Sequence, residues 1–230
     1  MIIGKGLVAR NFVKYELLDD FLVFASGVSN SKSCTPQDLE RERSLFQSAV
    51  DAHPSKTLVY FSTTSIDDPD LKETPYVLHK LQMETLVRRS GTRFNIFRLS
   101  NLAGQSDNPH TILNYFYNSI VNGHPFQLWK YSQRNIIDAA DVFLTADHIL
   151  QNGIFPNETV DIANPRNYPV DYIVRCIEEH TGKKANATKI EKGGSFDVDV
   201  KKIAPIYNQL GIDFGEDYLP RLLKKYYPQQ

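Results

Sequence analysis

The sequence lacks the marks of a secreted, membrane-bound or nucleic-acid-binding protein. Its 230 residues include only two cysteines, Cys34 and Cys176, far apart and without metal-ligand spacing, which predicts free thiols in a reducing cytoplasm and no metal site. No apolar run approaches the roughly 18 residues that suggest a membrane span, and the N-terminal residues do not resemble a signal peptide. With 26 basic against 27 acidic side chains, the basic excess of a nucleic-acid binder is also missing. We therefore expect a cytoplasmic globular protein without membrane or nucleic-acid partners.

Short apolar runs alternate with helical patterns along the first half of the chain, which indicates an α/β fold with a parallel sheet. Strands are predicted at 1–3, 21–26, 57–61 and 94–99. A Thr-Pro pair begins each of two predicted helices, 36–52 and 75–89. Further helices are predicted at 111–121, 139–150, 170–180 and 217–227. After residue 100 the chain is predicted to form a lobe built onto the sheet.

The first predicted strand leads into a glycine-rich turn. The segment IIGKGLVA at residues 2–9 matches G-x-G-x-x-G/A between a strand and a helix. Gly4 would form the tight turn and Gly6 would let the backbone approach a pyrophosphate, which the first helical amides, at Leu7 and Val8, would face. The turn predicts a dinucleotide site, although a plain glycine-containing turn fits the same residues.

One part of the dinucleotide fingerprint is absent. An acid about 20 residues after the glycines usually binds the adenosine ribose, but the next strand ends in Ala25, Ser26 and Gly27. Small residues at the carboxyl end of a strand allow a ligand to approach closely, so we expect these three to contact the cofactor. Without the acid, the choice between NAD and NADP stays open.

A tyrosine and a lysine follow at helical spacing. Tyr76 and Lys80 lie one turn apart on one helix face. An ammonium near a phenol favours the phenolate and would lower the pKa of Tyr76 from about 10, which makes that residue a candidate proton donor or acceptor. The preceding strand ends in hydroxyl side chains, among them Thr63, which completes a Ser/Thr–Tyr–Lys constellation.

In this order the motifs resemble those of extended short-chain dehydrogenase/reductases of the NAD-dependent epimerase/dehydratase, or nucleotide-sugar, type. The resemblance implies that Thr63 hydrogen-bonds the substrate oxygen, that Tyr76 is the acid/base and that Lys80 holds the nicotinamide ribose. It places Ser62 and Leu99 at the cofactor. The matching stretches are 3–9, 23–27, 59–65, 76–80, 98–104 and 134–142.

The resemblance also implies a substrate site and argues against one reaction, sugar 4,6-dehydration. Asn101 lies in a segment that passes the sugar, and Arg134 matches a position that commonly meets the substrate diphosphate. Sugar 4,6-dehydratases carry Asp-Glu directly after the catalytic hydroxyl. Here Thr64 and Ser65 stand in that place, so we expect them to contact the substrate instead.

The implied fold is a Rossmann-like parallel sheet with helices on both faces and a small C-terminal substrate lobe. Two strands that usually follow the first helix are missing, which puts the first strand at the sheet edge. Such an open edge favours association, so we expect a homodimer. The expected core comprises residues 1–105 with 135–165, and the lobe comprises 106–134 with 166–230.

The function implied by the resemblance is NAD- or NADP-dependent reduction of a keto-sugar nucleotide, in surface polysaccharide synthesis. A nucleotide-sugar 4-epimerase would use the same three residues. A non-catalytic sensor or partner subunit that binds a dinucleotide is a further alternative, because the first half of the chain is so short.

Overall fold

The computed structural model describes residues 1–28 and 34–229. They form two compact units, each made of separate chain segments. Unit 1 contains Met1–Leu99 and Val142–Ile162, and unit 2 contains Ser100–Asp141 and the chain from Ala163 onward. Among the described residues no helix combines the length and the apolar character needed to cross a membrane.

The strands and helices are as follows in chain order. The strands are β1 (Ile2–Ile3), β2 (Phe21–Phe24), β3 (Thr57–Thr63), β4 (Phe94–Leu99), β5 (Asn101–Ala103), β6 (Phe126–Trp129), β7 (Gln133–Asp138), β8 (Glu158–Ile162), β9 (Asn167–Pro169) and β10 (Ala187–Ile190). The α-helices are α1 (Leu7–Asn11), α2 (Pro36–Ala52), α3 (Pro75–Arg89), α4 (Ile112–Val121), α5 (Ala139–Gln151), α6 (Val170–Thr181), α7 (Ala204–Leu210) and α8 (Tyr218–Tyr226). Two 3-10 helices cover Val13–Leu17 and Thr64–Asp67.

Unit 1 is built on a five-stranded sheet in the order β1-β2-β3-β4-β8. All four strand pairs are parallel, which confirms the predicted fold class. Within the described residues β1 has a partner on one side only, so it lies at the edge, as the missing strands predict. The four predicted strands form, although β2 ends at Phe24 and β3 continues to Thr63.

The helices α2 and α3 begin at the residues that their sequence signals indicate. The Thr35 hydroxyl accepts the Asp38 N–H, and the Asp38 carboxylate accepts the Thr35 N–H, which forms a capping box before Pro36. The Thr74 side chain accepts the Val77 N–H in the same manner. These caps fix where each helix begins, and therefore where Tyr76 lies.

The core of unit 1 on the side of α2 and α3 is aromatic and aliphatic. The rings of Phe24, Phe46 and Tyr60 contact one another, and all three are almost fully buried. Tyr60 brings a hydroxyl into this core, and a buried hydroxyl requires a hydrogen-bond partner. That partner is part of the site described below.

Unit 2 contains strands that were not predicted, because only helices were predicted after residue 100. β5, β7 and β9 form a three-stranded sheet, and β6 pairs with β10 in parallel. The four predicted helices after residue 100 include α4, α6 and α8, which enclose an apolar core with members such as Leu113, Ile177 and Leu222. Asp138 ends β7 and directly precedes α5, where its carboxylate accepts the Ala140 N–H at 2.8 Å.

Candidate active site

The structure brings the predicted hydroxyl and the predicted phenol together. Thr63 is the last residue of β3, and Tyr76 is the second residue of α3. The Thr63 hydroxyl is close enough to the phenol to lower the pKa of Tyr76, and it accepts the N–H of Ser65 at 3.1 Å. The carboxyl end of a parallel strand is where ligands bind in such sheets, and Thr63 and Tyr76 occupy that position.

The protonation of Tyr76 differs from the expectation. Burial raises the pKa of Tyr76 to about 12; the neighbouring Thr63 hydroxyl opposes this rise, while the charges of Glu42 and Cys34 add to it. The prediction that Lys80 lowers this pKa is wrong. The physical reason is that two other side chains bind the Lys80 ammonium.

Lys80 forms a buried ion pair with Glu42. Its Nζ atom lies 3.0 Å from Oε1 of Glu42 and donates to the hydroxyl of Tyr60 at 3.0 Å. Only 3% of Lys80 is exposed, and Glu42 is completely buried. A buried ammonium therefore has its counter-charge on α2, not on the helix that carries it.

The Glu42 carboxylate is the centre of a small polar cluster. It accepts the Val28 N–H and the Tyr60 O–H, each at 2.7 Å, and the Nε2 atom of His79 lies 3.2 Å from it. Burial alone would raise the pKa of Glu42, but His79, Lys80, Val28 and Tyr60 together lower it to about 2. Glu42 is thus an anion throughout the physiological range.

A second buried ion pair lies one turn further along α3. Glu84 accepts two hydrogen bonds from the Arg98 guanidinium, at 2.8 and 3.0 Å, and one from Arg88 at 2.8 Å. Burial would raise the pKa of Glu84, but Arg98, Ser62 and Arg88 lower it below its usual value. Because Arg98 is on β4, this pair attaches α3 to the sheet.

The glycine turn has the geometry that a dinucleotide requires. Gly4 has φ +136°, and a Cβ there would lie 2.4 Å from the carbonyl oxygen of Ala25, so no other residue fits. Gly6 is exposed, and no heavy atom lies within 4 Å of the position that a Cβ would take. The space beside Gly6 leaves room for a bound group, so the turn fits a pyrophosphate; the contacts predicted for the Leu7 and Val8 amides remain predictions.

The other residues predicted at the cofactor follow neighbouring strands of the same sheet. Ala25, Ser26 and Gly27 continue from β2 and are half-buried. Ser62 on β3 and Leu99 at the end of β4 are buried. All five come at or near the carboxyl ends of parallel strands. Their contact with a cofactor remains a prediction.

The residues predicted at the substrate divide between the units. In unit 1, Thr64 is buried and Ser65 is half-buried, both in the 3-10 helix after β3. In unit 2, the Asn101 side chain donates to the carbonyl of Asn135 at 2.8 Å, and Arg134 donates to the Gln133 carbonyl at 2.7 Å. The substrate roles of these residues remain predictions.

Sequence reasoning missed Glu42 and Tyr60. Glu42 lies on the buried stripe of α2 with Phe46, Ala49 and Val50. A charged residue on an otherwise apolar helix face indicates a buried ion pair. Tyr60 is a phenol within an otherwise apolar strand. In residues 1–28 and 34–229 no group of three or more His, Cys, Asp or Glu side chains could hold a metal ion.

Several solved structures have the same fold. MoeE5 in complex with UDP-glucose and NAD is 16% identical, with a TM-score of 0.70 over 96% of this chain and 82% of that one. RMD from Pseudomonas aeruginosa complexed with NADPH is 13% identical, with a TM-score of 0.71 over 96% of this chain and 86% of that one. The Bordetella bronchiseptica enzyme WbmG in complex with NAD and UDP is 15% identical, with a TM-score of 0.67 over 97% and 79%.

No curated protein matches the sequence significantly. A family profile does match, over residues 33–163, which include Thr63, Tyr76 and Lys80 and begin after the glycine turn. Because this match covers more than half of the chain, the protein belongs to the NAD dependent epimerase/dehydratase family.

Proposed function

We propose that the protein is an NAD- or NADP-dependent oxidoreductase acting on a nucleotide-activated hexose, and that it reduces a keto-sugar nucleotide. The observation that carries the proposal is the placement of Thr63, the last residue of β3, beside Tyr76 in the first turn of α3. A phenol beside a second hydroxyl can supply a proton to a carbonyl oxygen, while the second hydroxyl polarises the carbonyl by a hydrogen bond to the same oxygen.

The protonation state of Tyr76 suits the direction of reduction. With a pKa of about 12, the phenol holds its proton at neutral pH and can donate it. When bound, the nicotinamide supplies the hydride. Tyr76 then donates its proton to the sugar oxygen, and Thr63 hydrogen-bonds that oxygen and orients Tyr76. The opposite direction, alcohol oxidation, requires the phenolate and is favoured at high pH.

The glycine turn and the ends of β2, β3 and β4 would hold the cofactor. Gly4 and Gly6 would face its pyrophosphate, and Ala25–Gly27, Ser62 and Leu99 would contact the rest. Lys80 would reach the nicotinamide ribose from α3. Solved relatives carry NAD in one case and NADPH in another, and both remain candidates here because no acid follows β2.

The substrate we propose is a sugar joined to a nucleoside diphosphate. Relatives of the same fold were solved with UDP-glucose and with UDP. Arg134 would meet the diphosphate, and Thr64, Ser65 and Asn101 would contact the sugar. Synthesis of a surface polysaccharide, in the cytoplasm, is the process that we propose for such a product.

The test is oxidation of NADH and NADPH, followed by their absorbance, with a panel of keto-sugar nucleotides. We expect turnover by the wild-type protein and a loss of about 100-fold or more in Tyr76→Phe, with cofactor affinity retained. Tyr172→Phe is the matched control, because that phenol lies in unit 2 on α6 and should not affect turnover. Firm cofactor binding without turnover on any substrate would instead support a dinucleotide sensor.

A 4-epimerase is the second candidate, and the family match favours it as strongly as it favours a reductase. An epimerase oxidises and re-reduces the same sugar, so it consumes no NADH. Chromatography of UDP-glucose incubated with the protein and NAD distinguishes the two, because only an epimerase yields UDP-galactose without net change in absorbance.

We also propose a homodimer that covers the open edge of unit 1. β1 is the edge strand, and the 3-10 helix that follows α1 exposes Val13 by 57% and Leu17 by 89%. Light scattering after size-exclusion chromatography should give a dimer mass for the wild type and a monomer mass for Leu17→Lys. A wild-type monomer at all concentrations would contradict this assembly.

A further inference from the structure

The Glu42 carboxylate joins two segments that the proposed function uses. One of its oxygens accepts the Val28 N–H at 2.7 Å, in the backbone that follows Ala25–Gly27. The other accepts the Lys80 ammonium at 3.0 Å. Lys80 lies one helical turn from Tyr76. A single buried anion thus connects the loop at the cofactor to the helix that carries the acid/base.

The loop backbone packs directly on this ion pair. A Cβ at Gly27 would lie 2.5 Å from Nζ of Lys80 and 3.1 Å from Oε1 of Glu42. Any larger residue at this position would displace the ammonium or the loop. The glycine therefore lets the ion pair and the loop approach closely, which is a second use of a small residue at the end of β2.

A buried ammonium keeps its proton only if an anion accompanies it. Burial lowers the pKa of Lys80, while the charges of Glu42 and Glu84 raise it. The ionisable groups around Lys80 are Glu42 on α2, Tyr60 on β3, and His79 and Glu84 on α3. Glu42 is the acid that contacts the ammonium directly, so its removal leaves Lys80 buried with little compensation.

We propose that Glu42 is a positioning residue for the reaction assigned above, which holds Lys80 in its charged form and binds it to the Val28 backbone. The inference rests on the proposed function, because that function gives Lys80 its task at the nicotinamide ribose. An ammonium has three N–H donors, and the contacts to Glu42 and Tyr60 use two of them.

The test compares the pH dependence of turnover in four proteins: wild type, Glu42→Gln, Glu42→Asp and Val50→Ala. Glu42→Gln should lower turnover at pH 8 by about 10-fold or more and recover activity as the pH falls, because the less-compensated Lys80 regains its proton only in acid. Glu42→Asp retains the charge and should keep the wild-type pH profile. Val50→Ala removes buried carbon from the same helix, so it should lower Tm without moving the profile.

A double-mutant cycle identifies Lys80 as the residue through which Glu42 acts. If so, Glu42→Gln combined with Lys80→Met should be no slower than Lys80→Met alone. If the double variant loses turnover by the product of the two single losses, the proposal is overturned. A pH profile of Glu42→Gln with the wild-type shape would overturn it as well.

A readout without turnover separates this inference from the proposed function. Amide hydrogen exchange at Val28 should be faster in Glu42→Gln than in Val50→Ala. If the wild type turns over no sugar nucleotide, the proposed function fails and the positioning role fails with it, while faster exchange would still show that Glu42 holds the loop. Unchanged exchange at Val28 would refute the connection itself.

Discussion

Lys80 donates a hydrogen bond to Glu42 across 3.0 Å, and both side chains are buried. Tyr76, Lys80 and Glu84 follow one another at four-residue spacing, so α3 presents a polar stripe to the protein interior. Lys80 is bound to α2 through Glu42, and Glu84 is bound to β4 through Arg98. Ion pairs, in addition to apolar packing, therefore determine the position of the helix that carries Tyr76.

The two glycines of the turn should respond differently to alanine. Gly4→Ala places a Cβ 2.4 Å from the Ala25 carbonyl at a positive φ, so we expect it to lower the free energy of unfolding by about 1–3 kcal/mol. Gly6→Ala meets no atom, so it should change stability by less than about 1 kcal/mol but weaken dinucleotide binding. Urea unfolding and cofactor titration measure the two effects. Equal stability losses would contradict the geometry of the turn.

The Thr63 hydroxyl should matter more for turnover than for folding. Thr63→Val removes the hydroxyl beside Tyr76, which also accepts the Ser65 N–H, and we expect a loss of roughly 10- to 1000-fold in kcat. Thr63→Ser keeps the hydroxyl and should retain most activity. If valine and serine at this position have the same kcat, the hydroxyl has no part in the reaction.

Acid should destabilise unit 1 through its two buried glutamates. The pKa of Glu42 is lowered to about 2, and that of Glu84 is also lowered. A carboxylate with a depressed folded pKa stabilises the protein above its unfolded pKa, and this stability disappears as the pH falls through the folded value. From the Glu42 shift we expect a loss of about 3 kcal/mol between pH 5 and pH 2.

The measurement is the free energy of unfolding by urea across that pH range. Glu42→Gln cannot be protonated at this position and should show a shallower decline than the wild type. An equally steep decline in the variant would show that Glu42 does not titrate with folding.

The Tyr218 hydroxyl should be a main stabilising contact of unit 2. It donates to Asp141 at 2.6 Å and accepts the Asp138 N–H at 2.8 Å. Tyr218→Phe leaves the Asp138 amide and the Asp141 carboxylate without this partner, so we expect a loss of about 1–3 kcal/mol in the free energy of unfolding. Tyr172→Phe is the comparison, because the bond from its hydroxyl to the Glu216 carbonyl is long, at 3.3 Å, and exposed. The measurement is the Tm of both variants by thermal unfolding. Equal Tm values would refute the stabilising role of the Tyr218 hydroxyl.

Local signals sufficed to predict the helices that carry the site. Thr35 and Thr74, each followed by proline, determine where α2 and α3 begin, and capping depends only on neighbouring residues. The apolar runs predicted the strands in the same way. The edge position of β1 follows from the shortness of the first half, because too few residues separate β1 from β2 to form additional strands and crossovers.

Long-range pairing could not be read from the sequence. Glu42 and Lys80 are 38 residues apart, and no local pattern says that one will neutralise the other. The wrong expectation for Tyr76 arose from this contact, since helical spacing relates Lys80 to Tyr76 but does not show which partner binds the ammonium. The strands of unit 2 were missed for a similar reason, because short strands such as β10, with exposed Thr188 and Lys189, are stabilised by distant partners.

The chain passes between unit 1 and unit 2 three times, at Leu99, Asp141 and Ile162. During synthesis on the ribosome, β8 emerges about 60 residues after β4, beside which it pairs in the finished sheet. A nascent chain halted after Leu99 would leave β4 without that neighbour and open to strands of other molecules. Neither unit is a contiguous stretch that could be cloned by itself, so folding intermediates must be sought in the whole chain.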